Sequence, residues 1–423
     1  MRGIIVSKGS VTYLTQEKEK LDYLRQKTPF DRFSDKEYGR RWDKIRRFME
    51  AHQLDCLLIA GGNTAWQKGW SNIRYATDFI GSMEACCFLV FPKDGDPAMC
   101  GAVPNYAHRL YRSIIDDLRG GPSGGLTVHR LEELGLQSGR IGIVEHTSKM
   151  PRDIWETLKT KLPSATFEFV EEAWWKEVRF PLSDEEEVWM KKAGKIGDLC
   201  LEALRDKLKP GMKEDDIFAT AVATSIANGG ENENMMLLGS HSMLDPDADD
   251  TSARPRDRIL KTGDIILTEI GPEYNGYEAQ CGWPITLGEP TKEYQDMLDV
   301  AFETYHKIVG QLRAGNTTED IVKAGDIIDE AGYKSGGPPL LHSLPSGLIG
   351  NGPMVPQRGQ FESWEAIGRP FKSRELIAGK LACVEVSLVR KDELAGVFLA
   401  DSFIVREGLP TRLYEYPTEL TVI

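Results

Sequence analysis

Two stretches of this chain repeat one another at a distance. LKPGMKEDDIFATAVATSIANGG (208–230) and LRAGNTTEDIVKAGDIIDEAGY (312–333) share one pattern: a helix end, a glycine, a four-residue turn, Asp-Ile, a second helix and a closing glycine. Gly211, Asp216 and Ile217 correspond to Gly315, Asp320 and Ile321. Each copy runs on into a strand of the form Gly-x5-Glu, GDIILTE ending at Glu269 and GKLACVE ending at Glu385. Two commonplace helix–strand units can coincide by chance. The other reading is a duplicated half-domain whose halves each supply one acid to a shared cleft.

The residues before the repeat are organised differently. Across 36–170, the charged amphipathic stretch DKEYGRRWDKIRRFMEAHQL is followed by the apolar runs DCLLIAGG, ACCFLVFPKDG, GRIGIVEH and ATFEFVEEA, each bounded by Gly, Pro or charge. Such alternation predicts a layered α/β domain. Pro181 then breaks the chain, and Ser183 with Glu186 has the spacing of a capping box for the next helix. The expected division is 1–178 and 179–423, consistent with the two or three domains that 423 residues suggest.

Charge and cysteine usage narrow the function classes. A formal net charge of -13 argues against a nucleic-acid partner, which needs clustered Lys and Arg to neutralise phosphates. No apolar run approaches the ~20 residues of a membrane span, and MRGIIVSKGS lacks the apolar core of a secretory signal. The seven Cys are odd in number and show no CxxC spacing, which favours reduced thiols in a cytoplasm over a disulfide framework.

The candidate site residues sit on the repeated strands and the loops between them. Glu269 in ILTEIG and Glu385 in LACVEVSLV have apolar, β-branched neighbours, and a carboxylate on a buried strand is costly unless it is paired or coordinating. Isolated Glu residues are mostly exposed; matching placement in two repeated strands weakens that reading. In GYEAQCGWPITLGEP the second strand carries Gln280 where a partner acid is expected. His342 lies in the Gly- and Pro-rich loop PPLLHSLPSGLIGNGP, where an imidazole near two acids suits proton transfer, although a lone His is more often structural. His241 in LLGSHSMLDPDADD is a weaker candidate, and DPDADD lacks the Gly and distal Glu of a calcium loop. Trp66, Trp70 and Tyr75 line a pocket on one reading and pack the core on the other.

Several blocks resemble the pita-bread family that includes aminopeptidase P, prolidase, methionine aminopeptidase and creatinase. SNIRYATDF is similar to the N-terminal domain's signature. RPRDRILKTGDIILTEIGPEYNGYEAQ, LHSLPSG, GKLACVEV and GVFLADSFIVREGLPTRL are similar to successive catalytic blocks, together covering roughly 36–415. The resemblance implies an α/β N-terminal domain followed by an α+β pita-bread catalytic domain, with duplicated half-domains around a central curved sheet, and a homodimer.

In the family's metallopeptidases, two Asp, one His and two Glu hold two metal ions. Carried over singly, these positions fall on Glu269, Gln280, His342, Glu385 and Ala400, and an upstream His falls on Ser252. The set is broken, so the expectation is no cofactor; a single Mn, Zn or Fe on Glu269, His342 and Glu385 is the minor alternative. The resemblance to creatinase, which has also lost the metal set, implies a metal-independent hydrolase, less readily a lyase, acting on a C–N or related bond of a small nitrogenous or cationic molecule. His342, Glu385 and Glu269 are then the expected catalytic residues. Gln280, Glu84, His241 and Trp283 are the expected substrate contacts, with Glu84 standing near the position of a creatinase Arg that reaches across the dimer. The alternatives are a single-metal aminopeptidase-P- or prolidase-like peptidase, a metal-dependent lyase, and a non-catalytic binding module.

Overall fold

The computed structural model describes residues 4–8, 11–27, 30–62, 71–80, 86–101, 112–144, 150–231, 235–247, 251–343 and 354–423. These fall into two compact units, Met1–Phe180 and Pro181–Ile423.

In the first unit the four apolar runs become strands of one six-stranded sheet. Its order is Asp117–Arg119, Ala98–Cys100, Cys87–Pro92, Cys56–Gly61, Arg140–Val144 and Thr166–Phe169. The central strand Cys56–Gly61 is buried along its whole length, as its uninterrupted apolar sequence requires of a strand covered on both faces. It pairs antiparallel with Cys87–Pro92 and parallel with Arg140–Val144, so the sheet is mixed. The charged stretch forms the helix Asp35–Ala51, capped by the Ser34 hydroxyl accepting from the Glu37 N–H. Tyr75 serves packing here: its hydroxyl donates to the Val178 carbonyl, and the Arg41 and Arg179 guanidinium groups lie over its ring.

The second unit opens with the helix Asp184–Lys207, closed at its start by the Ser183–Glu186 capping box. The two repeats then fold alike. Gly211 and Gly315 both take the left-handed conformation, at φ +93° and +87°, where a side chain would be strained. Asp216 accepts from the Lys213 N–H and Asp320 from the Thr317 N–H, each starting a helix, Glu214–Ala227 and Thr318–Gly325. Lys213 bridges Ile259 as Thr317 bridges Glu375, and the Gly211 and Gly315 amides donate to Leu260 and Leu376. Shared hydrogen bonds at matched positions are what a duplication produces and a chance coincidence does not.

Each half contributes an antiparallel pair to the centre. Met235–Ser242 pairs with Asp264–Gly271 in the first half, and Leu381–Val389 with Gly396–Ile404 in the second. The segment after Asp264–Gly271 joins them: Ile270 bridges Cys281, and Gly282 exchanges two 2.8 Å backbone hydrogen bonds with Ala400. Gly282 is needed there, because a Cβ would lie 2.2 Å from the Thr268 carbonyl oxygen. The helix Lys292–Gln311 packs on the Leu381–Val389 and Gly396–Ile404 strands. This is the expected pita-bread arrangement of two half-domains about a central sheet.

Candidate active site

The strand register decides which side chains meet. Residues opposite one another in antiparallel strands share a face, and residues two apart along a strand share it too. Glu385 lies opposite Ala400, and Cys383 lies opposite Ser402 on one side and His342 on the other. Cys383, Glu385, His342, Ala400 and Ser402 therefore occupy one face. Asp401, next along the strand, turns to the other. There its carboxylate takes the Tyr305 hydroxyl at 2.8 Å and pairs with Arg412, and burial pushes its pKa up to about 6 against those two groups.

Gln280 ties the two repeated acids together. Its Nε2 donates to Glu269 Oε1 at 2.9 Å and to Glu385 Oε1 at 2.5 Å. Its backbone is clamped to Ser402, whose hydroxyl accepts from the Gln280 N–H and donates to the Gln280 carbonyl. Glu385 is buried and Glu269 half-buried. His342 Nε2 stands 3.4 Å from Glu385 Oε1. Burial alone would lower the imidazole's pKa, but the Glu385 carboxylate, its hydrogen bond, the Ser343 carbonyl and Glu269 together raise it. A chain of polar groups thus runs His342–Glu385–Gln280–Glu269 across both halves.

Cys383 is the residue that sequence reasoning missed. One donor atom each from His342, Cys383 and Glu385 lies within 4.8 Å of the other two, the one such cluster of three among the described residues. Burial, then the Glu385 charge, pushes the free thiol's pKa well up. The signal was present in LACVE, since period-two alternation places Cys383 on the face of Glu385.

Other expected site residues lie elsewhere. His241 faces Ile265 across the sheet while Glu269 faces Leu237, so four residues, about 13 Å, separate their levels along the strand. Its Nδ1 is 3.5 Å from Arg256, which Glu214 holds. Trp283, expected to touch substrate, is fully buried between Phe302 and Tyr305 of the Lys292–Gln311 helix, on the side of the sheet where Asp401 lies. Glu84, like Trp66 and Trp70, lies outside the described residues. Ser252, at the expected position of the upstream His, is backbone-paired with Leu238, beside Leu237 and its partner Glu269.

The donor set fits one divalent cation and not two. Imidazole, thiol and carboxylate converge on one point, whereas a second ion would find only the Ala400 methyl and the neutral Gln280 amide where bridging carboxylates are required.

Comparison with known proteins bears on the same point. The profile of metallopeptidase family M24 matches residues 188–407, and that of the creatinase/prolidase N-terminal domain matches 41–180. An uncharacterized peptidase of Staphylococcus epidermidis is 27% identical over 238 residues, 55% of this chain and 62% of that protein. One from Staphylococcus aureus strain MW2 is 30% identical over 178 residues, 41% of this chain and 48% of that protein. The matches thus span less than two thirds of these relatives. Among solved structures, X-Pro aminopeptidase from Thermotoga maritima superposes with a TM-score of 0.75 at 16% identity, covering 90% of this chain and 99% of that one. Prolidase from Pyrococcus horikoshii gives 0.71 at 20%, covering 90% and 99%. At such identities the likeness shows the fold.

Two expectations are corrected by these findings. A hydrolase of non-peptide C–N bonds is overturned by relatives and structural neighbours that are named peptidases, an X-Pro aminopeptidase and a prolidase among them. The absence of any cofactor is overturned by the match to a metallopeptidase family. The second expectation rested on the donors missing at 280 and 400, while His342, Cys383 and Glu385 still bring three donor atoms within 4.8 Å of one another.

Proposed function

The chain belongs to metallopeptidase family M24, and from that premise we propose that it is a metal-dependent exopeptidase acting on short peptides with proline in the second position. The observation that carries the reading is the His342–Glu385–Gln280–Glu269 chain, which spends two buried or half-buried acids and an imidazole on one spot at the junction of the half-domains. The neighbours named X-Pro aminopeptidase, Xaa-Pro dipeptidase and prolidase supply the substrate class.

His342 and Glu385 would hold the ion, which when bound supplies an acidified water and a Lewis acid for the scissile carbonyl. Glu269, the less buried of the two acids, accepts the water proton and returns it to the leaving amine. Gln280 keeps the Glu269 and Glu385 carboxylates apart and fixes their orientation through its amide, itself clamped by Ser402. The Ser343 carbonyl, 3.5 Å from His342 Nδ1, would orient the ring so that Nε2, 3.4 Å from Glu385 Oε1, faces the ion beside that carboxylate.

The test is hydrolysis of a panel of Xaa-Pro dipeptides, Xaa-Pro-Xaa peptides and their Xaa-Ala counterparts by metal-stripped enzyme, with and without added zinc or manganese. Turnover of proline-containing members only after metal addition, and its loss in His342→Ala, is the expected result. An enzyme that binds metal yet cleaves no peptide in the panel would sink the assignment.

A further inference from the structure

We propose that Cys383 is the third protein ligand of the ion, so that the site is a His–Cys–Glu centre with a preference for zinc over manganese. This rests on the metal-dependent reading above and specifies its first coordination shell.

The geometry carries it. Cys383 sits two residues before Glu385 on one strand and directly across from His342 on its neighbour, so two paired strands bring three different donors together. The donor atoms are mutually within 4.8 Å, near enough for one ion to draw them together. The sulfur is fully buried, and its polar contacts are the Ser402 hydroxyl and, at 4.0 Å, the Val384 carbonyl, neither of them a charged partner. The other six cysteines are also buried, but none belongs to a cluster with an imidazole and a carboxylate among the described residues. Placing a small polar thiol, not a methyl, between His342 and Ser402 therefore has a use that packing alone does not give it.

The chemistry follows from the donor types. On binding, the Cys383 S–H bond breaks, a metal–sulfur bond forms, and the proton leaves to solvent. One imidazole, one thiolate and one carboxylate make a three-ligand set with an open fourth position, which suits zinc. A soft thiolate disfavours manganese, a metal that takes oxygen donors. With Cys383 as a ligand, Glu269 is not needed in the shell and remains available for proton transfer.

The experiment uses the full chain stripped of metal and titrated with cobalt(II), whose visible absorption reports binding and whose near-ultraviolet thiolate-to-cobalt band reports sulfur ligation. One cobalt per chain with that band, and visible absorption without it in Cys383→Ser, is the expected result. Zinc affinity of the variant should fall by at least the ~10–100-fold that losing even an outer-shell partner costs. X-ray absorption of the zinc-loaded wild type gives a second readout independent of the variant's folding: a Zn–S shell at about 2.3 Å supports the proposal. Stoichiometric metal with no sulfur in its shell overturns it and leaves the metal-dependent reading intact. A chain that binds neither cobalt nor zinc overturns both.

Discussion

Replacing Gln280 by alanine removes the amide that joins Glu269 to Glu385, and the structure allows its cost to be worked out. Two hydrogen bonds to carboxylates disappear, at 2.9 Å and 2.5 Å, each worth about 1.5–3 kcal/mol. The facing oxygens, now separated by no more than the span of those two bonds, about 5 Å, repel by about 3 kcal/mol at an effective dielectric of ~20. Glu269 is only half-buried, so solvent screens part of both terms, and the expected loss is at the low end, about 3 kcal/mol. A divalent ion adds positive charge where the amide no longer stands. Saturating zinc should therefore stabilise Gln280→Ala by ~1 kcal/mol or more beyond what it gives the wild type. Urea unfolding of chelator-treated and zinc-loaded protein, wild type beside variant, measures both quantities. A loss below ~1 kcal/mol, or a zinc gain no larger than in the wild type, would refute the view that this amide manages the charge of the site.

Three further outcomes are expected. Asp401 has a folded pKa of about 6, above the ~3.9 of an unfolded Asp, so the stability it contributes is complete below ~4 and is lost as pH rises through about 6, by up to ~3 kcal/mol; in Asp401→Asn that pH slope should vanish from the melting curve, and an unchanged slope would assign it elsewhere. Gly282→Ala drives a methyl against the Thr268 carbonyl and the Phe398 ring and should cost more than ~3 kcal/mol or abolish soluble expression, with a normal thermal melt as the contrary result. The double variant Gln280→Asp, Ala400→Glu adds two carboxylates on the Glu269–Glu385 face and should raise bound metal from one to two ions per chain by elemental analysis; an unchanged count would show that groups behind the ligands also decide occupancy.

How much of this was legible in the sequence depends on whether the signal was local. The Ser183–Glu186 box and the matched Gly and Asp of the repeats are short-range signals, and each appears in the structure with its hydrogen bonds. Glu269, Gln280, His342 and Glu385 were legible as a group because they lie on or beside apolar strands that two similar halves bring to one centre. Cys383 has no counterpart among the family's motif positions, and its nearness to the site depends on strand face, which only pairing with His342 makes plain. Trp283 was misread for the opposite reason. It neighbours the motif in sequence, but the Lys292–Gln311 helix claims its ring from the other side. The short strands Ala98–Cys100 and Asp117–Arg119 gave no run long enough to show periodicity.

The seam between Gly282 and Ala400 also sets the order in which the molecule can be completed. The two residues are separated by more than a hundred positions, and the first half's sheet margin at Ile270 and Cys281 finds its continuation only when Gly396–Ile404 has been made. Loop closure over such a length must be met before the paired strands repay it, so the seam belongs to the late part of folding. During synthesis from the N-terminus, the Glu269 half waits with an unpaired, apolar strand edge, the kind of surface on which nascent chains associate. Glu187, which holds Arg406 at 2.6 Å, and Asp198, which accepts the Glu415 and Tyr416 amides, act over still longer separations and can engage only afterwards. The Glu269–Gln280–Glu385 link therefore forms only with the last strands, and a half-made chain carries Glu269 without its counterpart.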